Sequence, residues 1–198
     1  MAAVPPKVLA RHLAQARELP PRAAIFRICA LIRAWRRGDR FAIESATRPA
    51  DVAELLKLAE GRRRVVELGT ATGWTTAALV LADRERRVLT FDPVVQDHRA
   101  DYLALLPAAA RRRIELVAAT GADGAQNAGE QDLVFVDSTH EHDATVAEII
   151  AWTPKLRSGG LLVLHDYENP AFPGVAAAVR DLELPGDVTG GMFVWSKP

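Results

Sequence analysis

Between Asp137 and Asp143 the sequence VFVDSTHEHDATV (134–146) gathers two aspartates, two histidines and a glutamate within seven residues, directly after an apolar run. Side chains of these types suit three uses. Carboxylates and imidazoles can bind a dication, an imidazole near neutrality can take a proton, or the whole can be a polar turn leading into a helix. A second pair, His165-Asp166, ends the run GLLVLHD, and Asp92 ends RVLTFD. An acid at one strand end is an ordinary cap or turn former. Three such acids on one edge of a sheet point instead to a ligand crevice.

Upstream lies Glu67-Leu68-Gly69-Thr70-Ala71-Thr72-Gly73, after another apolar run. Glycines at 69 and 73 let the backbone turn sharply and approach a ligand closely. The helix that follows presents free N–H groups. A dinucleotide site needs G-x-G-x-x-G, and its middle glycine is Ala71 here, so NAD is disfavoured.

The elements that must carry these residues follow from periodicity. Short, nearly continuous runs of Val, Leu, Ile and Phe occupy 64–69, 87–92, 113–120, 132–137 and 160–166. They read as parallel strands covered on both faces. TTAALVLADR, DHRADYLALLP and ATVAEIIAWTPKL lie between them as crossover helices, and MFVWSKP reads as a last strand. The fold class is therefore α/β, a doubly wound, mostly parallel sheet with right-handed crossovers. Residues 1–60 differ: VLARHLAQAREL, AAIFRICALIRAWRR and DVAELLKLAEG form an N-terminal helical cap, with Asp51 as a cap of the third helix. Residues 61–198 form the sheet domain, and the two make one structural unit.

The chain has 198 residues, 49% hydrophobic and 25% charged, as a folded domain requires. Lys+Arg and Asp+Glu are both 25, so charge gives no argument for nucleic acid or an anionic membrane as partner. The single cysteine, Cys29, excludes an intrachain disulfide, and its setting IFRICALI predicts a packed core thiol. No basic-then-apolar leader opens the chain, and no apolar run reaches the roughly 20 residues of a membrane span. A cytoplasmic protein is expected.

Glu67-x-Gly69-x-x-x-Gly73 followed by Asp92 resembles motif I and its sequel in class I S-adenosylmethionine-dependent methyltransferases. The resemblance covers residues from about 45 to 198 and includes Leu-Arg-Ser-Gly-Gly before the fifth strand, where Ser158 replaces the usual proline. It implies that Glu67, Gly69, Thr70, Ala71 and Gly73 meet the methionine part of the cofactor. Asp92 would hold the ribose hydroxyls, and Ala122 and Asp123 would lie where adenine is contacted. The run FVDSTHEHD with GLLVLHDY and PGVAAAV is similar to a narrower branch, the small-molecule O-methyltransferases related to catechol and macrolide-sugar enzymes (methyltransferase family 24-like). That implies methyl transfer to a hydroxyl of a small acceptor, assisted by Mg²⁺ on Asp137 and Asp166 with His165 beside them. His140 stands where that branch places its general base. His165 replaces a usual acid, and imidazole suits Zn, Fe or Ni better than Mg²⁺.

His142 and Asp143 are read as the start of a helix and Glu141 as solvent-facing. The N-terminal helices would cover the acceptor pocket or form a homodimer contact. Trp35 with Arg33, Arg36 and Arg37 would line the entrance for an anionic acceptor or, more simply, form a solvated basic face. Two rival functions stand beside methyl transfer: a cofactor-binding module without catalysis, and a His/Asp metal-dependent hydrolase. The hydrolase reading leaves the glycine loop and Asp92 unexplained.

Overall fold

The computed structural model describes residues 6–198. Seven strands form one sheet: β1 (Arg64–Leu68), β2 (Arg87–Phe91), β3 (Ile114–Val117), β4 (Gln131–Val136), β5 (Leu156–Leu164), β6 (Asp187–Thr189) and β7 (Met192–Ser196). Their order is β3-β2-β1-β4-β5-β7-β6. The first five are parallel, while β7 runs antiparallel to β5 and β6 antiparallel to β7. Chain order reverses between β1 and β4, so the crevice of a doubly wound sheet opens there.

The N-terminal helices are α1 (Pro6–Gln15), α2 (Pro21–Arg37), α3 (Arg40–Glu44) and α4 (Pro49–Leu58). Residues 1–5 of the expected cap lie outside the described residues. The sheet is covered by α5 (Trp74–Ala82), α6 (Arg99–Leu103), α7 (Ala108–Arg111), α8 (Gly121–Gly124), α9 (His142–Trp152) and α10 (Pro173–Asp181). On one face Phe26, Leu31, Ile43 and Leu55 join Trp74, Leu79 and Phe135 in a single apolar cluster. On the other, Ile149, Trp152 and Val179 pack on Leu68, Val136 and Leu164. Each such side chain contributes roughly 1.5–3 kcal/mol by leaving water.

Several expectations are corrected. β3 is shorter than 113–120 and half-exposed, because it is the sheet edge. Leu-Arg-Ser-Gly-Gly is not a turn before the fifth strand but the start of β5, where the register with β4 slips and Gly159 adopts φ +70°. The short α3 was not expected; Asp39 caps it by accepting from the Ala42 N–H at 2.9 Å. Cys29 is exposed, not core. The buried residues of α2 are Ala23, Phe26, Arg27, Ala30, Leu31 and Ala34, a stripe at spacings of three and four that leaves Cys29 on the outer face with Ile25, Ile32 and Trp35. Asp51 does not cap α4. Arg48 holds the cap position, Pro49 the first turn, and the Asp51 side chain is turned inward and buried.

Glu67 also departs from its expected role. It is 1% exposed and lies beneath the glycine loop, accepting from Thr90 Oγ1 at 2.8 Å and from Thr76 Oγ1. Burial pushes its carboxyl up to about 8, against the two hydroxyl donors. The folded state therefore keeps a proton that the unfolded chain releases near pH 4.5. Stability falls as pH rises from about 4.5 to about 8 and is flat beyond. Glu67→Gln retains an oxygen for both threonines and removes the proton. Thermal unfolding of this variant should lose that downward slope, at most about 1.4 kcal/mol for each pH unit in the window. An unchanged slope would refute the assignment.

Candidate functional site

At the carboxyl ends of β1, β2, β4 and β5 lies a cavity of about 840 Å³. Its wall includes all three strand-end acids, Asp92, Asp137 and Asp166, together with Gly69, Thr70 and Ala71 of the loop after β1. Gly69 has φ +97°, and a β-carbon there would stand 2.0 Å from the Asp137 carbonyl oxygen. Only glycine allows β1 and β4 to end this close together. Gly73 caps α5 with φ +79° and faces Leu103, so it shapes the loop without lining the cavity.

Asp92 is held tightly. Its Oδ2 accepts from the Ala71 N–H at 2.8 Å and from Arg99 at 2.9 Å, and its Oδ1 accepts from the Val94 N–H at 2.8 Å. A carboxylate has about four acceptor positions, so one remains, on Oδ1. Arg99 also donates to the Ala71 carbonyl at 2.7 Å and ties the glycine loop to the end of β2. Thr120, Gly121 and Ala122 line the cavity, whereas Asp123 is exposed and accepts from Thr120 at 2.7 Å. The Asp123 carboxylate thus braces the turn whose residues 120–122 line the cavity.

The second half of the cavity is built around Asp137, His140, His165 and Asp166, whose nearest donor atoms all lie within 4.8 Å of one another. His140 Nε2 is 3.3 Å from Asp137 Oδ1 and 3.3 Å from Asp166 Oδ2. His165 Nδ1 is 3.1 Å from the same two oxygens. Both nitrogens are buried, and neither has a partner of hydrogen-bond geometry. The sibling oxygens are tethered: Thr47 donates to Asp137 Oδ2 at 2.8 Å and Asn169 to Asp166 Oδ1 at 2.9 Å. His165 Nε2 meets Asp51 Oδ2 at 3.1 Å, and Asp51 in turn accepts a two-pronged contact from Arg48 at 2.7 and 3.0 Å. His140 stacks on Phe172 with ring centres 4.4 Å apart.

Electrostatics follow from this crowding. Burial lowers the His165 imidazole, but Asp137, Asp166 and Asp51 overcome it and push the group up to about 12. Burial raises Asp137, and the neighbouring imidazoles overcome it, holding its carboxyl well below the usual range. Asp166 is lowered on the same balance. Glu148, 5% exposed on the same wall, is pushed up by burial and accepts from Ser138 at 2.7 Å.

The donor set fits a dication. Two imidazole nitrogens and two carboxylate oxygens converge within 4.8 Å of one another, and their four nitrogen-to-oxygen distances of 3.1–3.3 Å are close to the roughly 3.3 Å edge of a ligand tetrahedron drawn at about 2 Å from a metal. His140, expected as the general base, lines the cavity, and its Nε2 is buried between the two carboxylates. That atom is placed as a fourth donor. His142 bonds Asp143 at 2.8 Å and Asp181 at 2.9 Å at the start of α9, away from the cluster. Trp35, Arg33, Arg36 and Arg37 do not line the cavity; Arg33 and Arg37 bond Asp101. Sequence reasoning missed Thr47, Arg48, Asp51, Glu148 and Asn169. Only Asn169, three residues after Asp166, carried a local signal.

Among the described residues no helix is long and apolar enough to cross a membrane. The backbone resembles that of CalS11, a TDP-rhamnose 3′-O-methyltransferase of calicheamicin biosynthesis, with a TM-score of 0.61 at 16% identity, covering 99% of this chain and 96% of that one. An S-adenosylmethionine-dependent O-methyltransferase from Thermotoga maritima gives 0.55 at 12% identity, covering 77% and 66%. The mycinamycin-pathway methyltransferase MycE, in complex with Mg and SAH, gives 0.53 at 16%, covering 76% of this chain and 49% of that one. No curated protein matches the sequence. Residues 66–167 match the model of a methyltransferase-domain family, and with the glycine loop, the strand-end acids and the sheet order in place the chain belongs to that family as an S-adenosylmethionine-dependent methyltransferase.

Proposed function

We propose that the protein methylates a hydroxyl oxygen of a small molecule, and that the Asp137, His140, His165 and Asp166 cluster prepares that oxygen with the help of a dication. The observation that carries this reading is the sharing of one cavity by two different devices, the glycine loop with Asp92 and the four-donor cluster. The hydrolase alternative would use the cluster alone and leave the first device idle.

S-Adenosylmethionine supplies an electrophilic methyl carbon: the carbon–oxygen bond forms as the carbon–sulfur bond breaks, with the electron pair staying on sulfur and the hydroxyl proton leaving by way of the cluster to solvent. A dication on the cluster supplies Lewis acidity, which lowers the pKa of an acceptor hydroxyl. The rest falls to the chain. The free acceptor position on Asp92 Oδ1 takes one ribose hydroxyl, and the N–H groups at the start of α5 face the loop that holds the methionine end. Residues 41–48, which form part of the wall, exclude water from the acceptor side. Together they fix the distance between methyl donor and oxygen, the contribution of proximity and orientation. A sugar hydroxyl, named for CalS11, is the acceptor class this reading tests first, and Mg²⁺, named for MycE, is the first cation.

Two outcomes are expected. Asp92→Asn should weaken S-adenosylmethionine binding about 10- to 100-fold by calorimetry, the cost of a charged hydrogen bond. Asp137→Asn should leave cofactor affinity within about threefold but cut methyl transfer by about 10²–10⁴, the range of assisted proton removal. Both are measured against a panel of nucleotide-sugar and catechol acceptors. Wild-type protein that does not bind S-adenosylmethionine would sink the reading. Binding without transfer to any hydroxylated acceptor would favour a module without catalysis.

A further inference from the structure

We infer that the cluster is a two-histidine, two-aspartate site that selects a first-row transition dication of the Zn²⁺, Co²⁺ or Fe²⁺ kind over Mg²⁺, with Asp51 as the carboxylate that positions His165. The inference rests on the metal-assisted reading of this same site and goes beyond it in naming the metal class and the residue that imposes it.

Four observations support it. The donors are half nitrogen: Mg²⁺ demands oxygen ligands in near-octahedral geometry and dehydrates reluctantly, whereas imidazole suits Zn, Fe and Ni. The nitrogens are buried and each lies 3.1–3.3 Å from two carboxylate oxygens, yet none of these contacts has hydrogen-bond geometry, so both rings sit among acids without donating squarely to either. The His165 side chain is 9% exposed, so water does not meet it. Each carboxylate has one oxygen fixed by Thr47 or Asn169, which aims the other at the two rings. Finally, the remaining nitrogen of His165 points at Asp51. With one proton kept on Nε2 toward that carboxylate, a metal would displace the Nδ1 proton and take its lone pair, the carboxylate–histidine arrangement that orients metal-binding imidazoles.

The alternative is a self-contained salt-bridge network, with each ring nitrogen 3.1–3.3 Å from two carboxylate oxygens. An imidazolium between two carboxylates would aim its N–H at one of them, and neither nitrogen does so within hydrogen-bond limits. Asp51 and Arg48 sit at the start of α4, outside residues 66–167, so the N-terminal segment supplies part of the metal site.

The test uses full-length protein stripped with a chelator and titrated separately with Zn²⁺, Co²⁺ and Mg²⁺ by calorimetry, with Co²⁺ also followed by visible absorption. Zn²⁺ and Co²⁺ should bind at least about 100-fold more tightly than Mg²⁺, and bound Co²⁺ should show ligand-field bands. His140→Ala, at the cavity wall, should shift those bands. Asp51→Asn should lower Co²⁺ affinity about 10- to 100-fold while the bound Co²⁺ keeps its ligand-field bands. Mg²⁺ binding as tightly as Zn²⁺, no dication binding at all, or a Co²⁺ spectrum indifferent to His140→Ala would each overturn the inference. Full methyl transfer with Mg²⁺ alone, or in chelator, would also overturn it while leaving the methyl-transfer reading intact. Loss of S-adenosylmethionine binding in wild-type protein would instead strike that reading, with the metal titrations standing apart.

Discussion

The carbonyl oxygen of Asp137 occupies the place where a β-carbon of residue 69 would lie, and the site is organised around that contact. It brings the end of β1, which carries the glycine loop, against the end of β4, which carries Asp137. The two strands are neighbours in register, Leu68 beside Val136, because the strand order reverses between them. Parallel pairing alone would set their axes about 4.8 Å apart. The absent side chain at 69 lets the segments beyond the strands close as well. The two halves of the cavity therefore share one wall, and a methyl donor on one side can face an oxygen on the other.

Around this seam the backbone takes on strain. Among the described residues, four other than glycine have positive φ: Ala71, His140, Asp166 and Glu183. The first three line the cavity. Left-handed backbone costs an ordinary residue roughly 1–2 kcal/mol, so these positions persist only because their surroundings enforce them. Ala71 is enforced by its bonds to Asp92 and Arg99. Asp166 is held by Asn169 and by the ring of His165. His140 is held by the stacking of Phe172 and by the start of α10, where Gly174 would have no room for a β-carbon, 2.5 Å from the His140 carbonyl. The turns that orient the reacting groups depend on packing from three different elements.

This dependence explains what was legible in the sequence. The five parallel strands were read to within a few residues because each is an unbroken apolar run, a local property. The three strand-end acids followed for the same reason. Glu67 was misread because its spacing to Gly69 is that of a loop contact, whereas its burial beneath Thr76 and Thr90 comes from how the sheet stacks. Cys29 was misread because α2 is apolar on two faces and only the packing of Phe26 and Leu31 decides which is inside. For His140 the local pattern shows only an imidazole after a strand end, and the approach of its ring to Asp166 is set one strand away.

Asp51 is the sharpest case. An aspartate two residues after a proline at a helix start reads as a cap, and the helix does begin there. With Pro49 filling the first turn, however, the Asp51 side chain is free to turn inward toward β5 and meet His165. Arg48, at the cap position, follows it and neutralises its buried charge. The contact spans 114 residues of chain and no local pattern encodes it. It also changes what the N-terminal segment is for. A helix that only covered the acceptor would touch the cavity with its apolar face. Here α4 places a buried carboxylate behind the His165 imidazole, so the geometry of the strand ends depends on a helix far from them in sequence.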